Sequence, residues 1–94
     1  MIKILAKIVV KEDRIEQFHN TAAELVEKSR AEEGNVAYTL NQNIKDPAEH
    51  MFMEVWKDED AINEHNASEH FTGIFPKLAE MAKEEPVVEL YREV

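Results

Sequence analysis

Apolar and polar residues alternate from the start of the chain. Ile2, Ile4, Ala6, Ile8 and Val10 point one way, and Lys3, Leu5, Lys7 and Val9 the other. A period of two predicts a strand, and the two aliphatic residues among the lysines predict partial cover on its second face. The period then changes. Ile15, Phe18, Ala22, Leu25, Val26 and Ser29 recur at steps of three and four, which predicts a helix to about Glu32. Asp13 is placed to cap it with Glu16 as its capping-box partner, and Gly34 to end it as a left-handed cap. His19, beside the apolar stripe, is expected at the surface or its boundary.

Alternation returns at Asn35–Asn43, with Val36, Tyr38 and Leu40 on one face. Asp46-Pro47 marks a hairpin-like connection. In His50–Trp56 both faces are bulky: Phe52, Glu54 and Trp56 against Met51, Met53 and Val55. A central strand covered on both sides is expected, and a carboxylate on a covered face needs a partner or a task. Asp58 or Asp60 can cap a short helix through Ala61, Ile62 and His65. Ser68 can cap a second helix carrying Phe71, Ile74, Phe75, Leu78 and Ala82. Pro76 is expected to kink or split that helix, and Glu84-Glu85-Pro86 to end it. Val87–Val94 reads as the last strand.

The order strand, helix, strand, strand, helix, strand is the split βαβ pattern of an α+β, ferredoxin-like sandwich: one antiparallel sheet with helices on one face. Residues 1–94 are expected to form a single domain. Leu5, Val9, Met51, Met53, Val88 and Leu90 are expected to leave the other sheet face apolar. A second copy of the same sheet is the simplest cover, so a homodimer is expected.

Composition narrows the function. Twenty acidic residues against eleven basic ones, a net charge of −9, argue against nucleic acid and anionic membrane surfaces as partners. No apolar run approaches a bilayer span, and the first residues lack signal-peptide features, so a cytoplasmic protein is expected. There is no cysteine. Neither Ser29 nor Ser68 lies in a nucleophile-elbow setting, and the only glycines, Gly34 and Gly73, make no phosphate loop. No flavin, nicotinamide or nucleotide signature is present.

The candidate chemistry gathers in Met53–Phe75. His65 titrates near neutrality and falls on the inward face of its helix, so it can act as acid, base or hydrogen-bond donor, or simply be a satisfied boundary histidine. Tyr38, Trp56 and Phe71 can line a pocket or serve only as core. The indole N–H of Trp56 needs an acceptor if buried. A His65–Glu69 metal pair has helical spacing, but the break expected at Ser68 spoils it, and no metal site is expected. His70, in a first helical turn, is expected to face solvent.

Glu33-Gly34-Asn35, Tyr38, Glu54-Val55-Trp56, Ala61-Ile62, His65, Ser68 and His70-Phe71 occur in an order that resembles the antibiotic biosynthesis monooxygenase family. The chain is similar in particular to small bacterial quinol-monooxygenase-like members. The resemblance implies a dimeric α+β barrel of two sheets packed face to face. It also implies oxygenation of a quinol-like or polycyclic phenolic small molecule by O₂ with no cofactor, the substrate being the reductant. On that reading His65 is the catalytic acid/base or phenol-binding group, Tyr38, Glu54, Trp56 and Phe71 line or support the pocket, and Asn35 bonds a substrate oxygen or shapes a turn. Haem-degrading relatives use an Asn, a Trp and a His where this chain has Lys7, His65 and Phe75, so haem degradation is not implied. Two other readings share the fold: isomerisation of a small carbonyl metabolite, and a non-catalytic dimeric ligand-binding module.

Overall fold

In the computed structural model, which describes residues 1–94, the alternating segments become β1 (Ile2–Val9), β2 (Asn35–Gln42), β3 (Glu49–Trp56) and β4 (Val87–Arg92), and the helical ones α1 (Ile15–Arg30), α2 (Glu59–Ala67) and α3 (Glu69–Glu80). The sheet is antiparallel in the order β2-β3-β1-β4. This is the α+β, ferredoxin-like arrangement that the element order predicts. No helix is long and apolar enough to cross a membrane.

The helices cover one face. Ile4, Ala6 and Ile8 of β1 and Phe52 and Trp56 of β3 pack there against Phe18, Ala22 and Leu25 of α1 and Ile74 and Leu78 of α3. The opposite face carries Leu5, Met51, Met53 and Val55 with no second layer, and Met53 is 46% exposed. β3 is central, as expected, but covered on one side only within this chain.

Several local expectations are corrected. Asp13 does not cap α1. It lies in a 3-10 turn, Glu12–Arg14, and α1 begins with no side-chain cap, held instead by burial of Phe18, Ala22 and Leu25. Gly34 is not left-handed: no residue in the chain has a positive φ. A Cβ at position 34 would collide with the Cβ of Ala61, so glycine serves the close approach of the α1–β2 connection to α2. Val36 does not share a face with Tyr38. The ladder pairs Asn35 with Trp56 and Ala37 with Val55, so Val36 is the extra residue of a bulge and is half exposed. α3 is not split at Pro76 but continues to Glu80, ending before Glu84-Glu85-Pro86. Val88 and Leu90 pair with Ala6 and Ile4, which places them on the helix side of the sheet rather than the bare one. Both nonetheless stay about half exposed. Val87 and Tyr91 take the bare face instead, opposite Lys7 and Lys3.

Candidate functional site

β3 ends with two side chains that solve each other's problem. Glu54 and Trp56 lie two residues apart on the buried face, and the Trp56 indole N–H donates to Glu54 Oε1 at 2.8 Å. Glu54 is 7% exposed. Its burial pushes the carboxyl up to about 7, with the negative charge of Glu32 adding to the rise and the Trp56 bond opposing it. Tyr38 is paired with Glu54 across β2 and β3. Burial, with the Glu54 charge, pushes its phenol far above the ordinary value, so it stays a neutral hydroxyl.

The junction of α2 and α3 supplies the imidazoles. Asp58 caps α2 by accepting from Ala61 N at 2.9 Å. Ser68 breaks the two helices apart. Its backbone is extended, its hydroxyl donates to His65 O at 2.6 Å, and it accepts from Phe71 N at 3.2 Å. His65 therefore stands in the last turn of α2 and His70 in the first turn of α3. Both turn toward Glu32, in the α1–β2 connection: His65 Nδ1 lies 2.6 Å from Glu32 Oε2, and His70 Nε2 lies 2.8 Å from the same oxygen. An ionised carboxylate only accepts, so His65 holds its proton on Nδ1. Nε2 is then a lone pair, and it is buried with no partner. Burial favours the neutral ring and lowers the basicity of His65, while the Glu32 carboxylate pulls the other way.

Beside His65 is a cavity of about 90 Å³ between the sheet and the helices. Its walls include Tyr38, Phe52, Glu54, His65, Phe71 and Phe75, with Val88 of β4 at one side. The His65 ring centroid lies 4.5 Å from that of Trp56, 5.5 Å from Tyr38 and 4.9 Å from Phe71. Of the residues singled out in the sequence, His65, Tyr38, Glu54 and Phe71 meet at this cavity. Trp56 supports it from behind through Glu54. Asn35 does not reach it: its amide donates to Ala37 O at 3.0 Å and Val55 O at 3.3 Å, stitching the bulge. His70 does not face solvent freely; its side chain is 15% exposed and held by Glu32. The His65–Glu69 pairing does not form, because His65 takes its carboxylate from 33 residues upstream. Glu32 carries no signal in the sequence beyond standing next to Glu33-Gly34-Asn35.

The arrangement combines a neutral imidazole with a free buried nitrogen, a carboxyl poised near neutrality and an apolar, aromatic-walled space. It can take a proton from a small acidic group while excluding water.

Known proteins resemble this chain in sequence and fold. The profile of the antibiotic biosynthesis monooxygenase family matches residues 1–77. A Bacillus subtilis protein, YcnE, named as a candidate monooxygenase, is 41% identical over 81 residues, covering 86% of this chain and 85% of the relative. A crystal structure titled antibiotic biosynthesis monooxygenase superposes with a TM-score of 0.96 at 35% identity, covering 100% of this chain and 99% of its own. A conserved protein from Methanosarcina mazei Go1 gives a TM-score of 0.96 at 34% identity, covering 99% and 92%. Profile, relatives and fold converge: the chain belongs to the antibiotic biosynthesis monooxygenase family.

Proposed function

We propose that the protein is a cofactor-independent monooxygenase that oxidises a quinol-like phenol with O₂. The observation that carries the proposal is His65: its Nδ1–H is held by Glu32, its Nε2 is buried with no partner, and the residue is one of those that line the cavity. A phenol O–H placed there donates to Nε2, and His65 takes the proton. The resulting phenolate is electron-rich enough to pass an electron to O₂. Recombination of the radical pair at a ring carbon that carries hydrogen forms a C–O bond and a peroxide anion, to which His65 returns its proton to give the hydroperoxide. Loss of water then leaves a carbonyl, so one oxygen atom enters the product, the other departs as water, and the substrate supplies the electrons. Tyr38, kept neutral, contributes to the same wall. A space of about 90 Å³ is smaller than the cavity of about 150 Å³ that holds one benzene ring, so even a single-ring quinol needs the walls to yield and a polycyclic substrate needs them to yield further.

The reading includes a homodimer, supported by the uncovered apolar face of Leu5, Met51, Met53, Val55, Val87 and Tyr91. Sedimentation at micromolar concentration is expected to show twice the 10.9 kDa chain mass; a monomer removes this part of the proposal.

The decisive assay is oxygen consumption by metal-stripped protein with a panel of quinols and hydroxyanthrones, run beside His65→Ala. Uptake above the spontaneous rate that disappears in the variant supports the proposal. Equal uptake in the variant refutes the role of His65. A second reading has its own support: Glu54, near neutrality beside a base, completes the acid–base pair that isomerisation of a small carbonyl compound needs. Turnover that persists without oxygen selects it. Saturable binding with no turnover under either atmosphere selects a binding module.

A further inference from the structure

One oxygen of Glu32 collects two imidazole nitrogens, at 2.6 Å from His65 and 2.8 Å from His70. The ligand atoms of all three residues lie within 4.8 Å of one another. They come from three separate segments: the α1–β2 connection, the end of α2 and the start of α3. The cluster is sheltered but reachable, with side-chain exposures of 2% for His65, 15% for His70 and 16% for Glu32.

We infer that Glu32, His65 and His70 form a binding site for a divalent transition-metal ion of the zinc class, held by two imidazoles and one carboxylate with a fourth position open. Nitrogen and carboxylate oxygen are the ligands such borderline cations prefer, and a single negative charge offsets half of the ion's. The distances seen are those of charge-assisted hydrogen bonds, with protons standing where the ion would sit. In a tetrahedral centre with bonds of about 2.0–2.1 Å, neighbouring ligand atoms are about 3.3 Å apart, so the carboxylate has to withdraw by roughly half an ångström and the two imidazole nitrogens, which lie within 4.8 Å of each other, have to close toward that spacing. Glu32 is placed to do so. It lies in an irregular connection, its backbone N–H is tied to Ser29 O at 3.1 Å, and its side chain has the torsions to move alone. The imidazoles are steadied from behind by the Ser68 bonds to His65 O and Phe71 N. The chain's other close histidine pair, His19 and His50, brings two ring nitrogens within 2.8 Å but has no third ligand, which makes it an internal control.

The inference does not rest on the oxygenase reading; it concerns what the triad binds. Where both hold, occupancy ligates Nδ1, leaves the remaining ring proton on Nε2 and removes the free base.

The test is titration of Zn²⁺ into metal-stripped protein against a competing chromophoric chelator, with Glu32→Gln, His70→Ala and His19→Ala in parallel. Zinc-edge X-ray absorption of the loaded wild-type protein accompanies it. One ion per chain is expected, bound about tenfold or more weakly by the first two variants, unchanged in the third, with two imidazoles in the absorption spectrum. Lack of stoichiometric binding, undiminished affinity in Glu32→Gln or His70→Ala, or a spectrum with fewer than two imidazoles overturns the inference. Should His70→Ala not fold, the wild-type spectrum and Glu32→Gln decide. None of these readouts is turnover, so a failed oxygen assay leaves this inference standing, and a failed titration leaves the assay's result intact.

Discussion

Ionising Glu54 is expected to strain the folded chain, and the strain is measurable without knowing any substrate. The folded carboxyl titrates at about 7 instead of 4.5, chiefly because it is buried. A tenfold change in proton affinity corresponds to about 1.4 kcal/mol. The ionised form therefore costs the folded state about 3 kcal/mol more than it costs the unfolded chain. The sign follows from linkage: the folded state binds the proton more tightly than the unfolded one. The group's stabilising effect is thus complete below 4.5 and is lost as pH rises through 7. Glu54→Gln removes the titration while keeping an oxygen to accept from the Trp56 indole. Urea unfolding of both proteins at pH 5, 7 and 9 isolates the term, since other titrating groups largely cancel in the difference. The variant is expected to gain on the wild type by about 2–3 kcal/mol between pH 5 and pH 9. Parallel stability profiles would falsify the argument, because they would mean that Glu54 is solvated or that its charge is met in the fold.

Three further outcomes follow from local geometry. Gly34→Ala is expected to lower stability by about 1–3 kcal/mol in chemical denaturation, because the new Cβ meets Ala61 Cβ and the backbone of α2 behind it. Asp58→Ala is expected to cost about 1 kcal/mol through loss of the bond to Ala61 N, and a change below a few tenths would show that α2 needs no cap. His50 is buried, bonded to Ala48 O and close to His19, and burial lowers its basicity despite the carbonyl. Its contribution is therefore present above the ordinary value of 6.5 and is lost as pH falls below it. His50→Gln is expected to flatten the drop in melting temperature between pH 7 and pH 5; an unchanged slope counts against this.

What could be read from the chain follows the range of the interactions involved. Strands and helices were legible because burial on one face imposes a period, as Ile4-Ala6-Ile8 and Phe18-Ala22-Leu25 show. The Ser68 break was legible too, because capping is a matter of three residues. Gly34 illustrates the limit. Its presence after a helix suggests a left-handed cap, but its reason lies in Ala61, 27 residues away, where the two backbones approach. The β2 bulge at Val36 shifts which residues face inward, and alternation alone carries no mark of it. Glu54 and Trp56 each announced an unmet need, and the need of one is the answer to the other. Glu32 announced nothing. A glutamate in a charged connection is unremarkable until two histidines arrive from the α2–α3 junction, and that meeting is a property of the topology.

β4 leads to a last consequence. Its Val88 forms one side of the cavity, while Val87, the residue before it, and Tyr91, further along the same strand, stand on the uncovered face of the sheet. It is an edge strand, held by β1 alone and exposed along its length. If the proposed ligand fills the cavity and the proposed second copy covers the open face, both bear on this one strand. Their free energies are coupled, and the coupling is reciprocal: whatever factor the cover contributes to ligand affinity, the ligand returns to the affinity of the cover. Under the proposed dimer, filling the cavity and closing the sheet are two readings of one equilibrium, and ligand titrations of this protein are expected to depend on protein concentration.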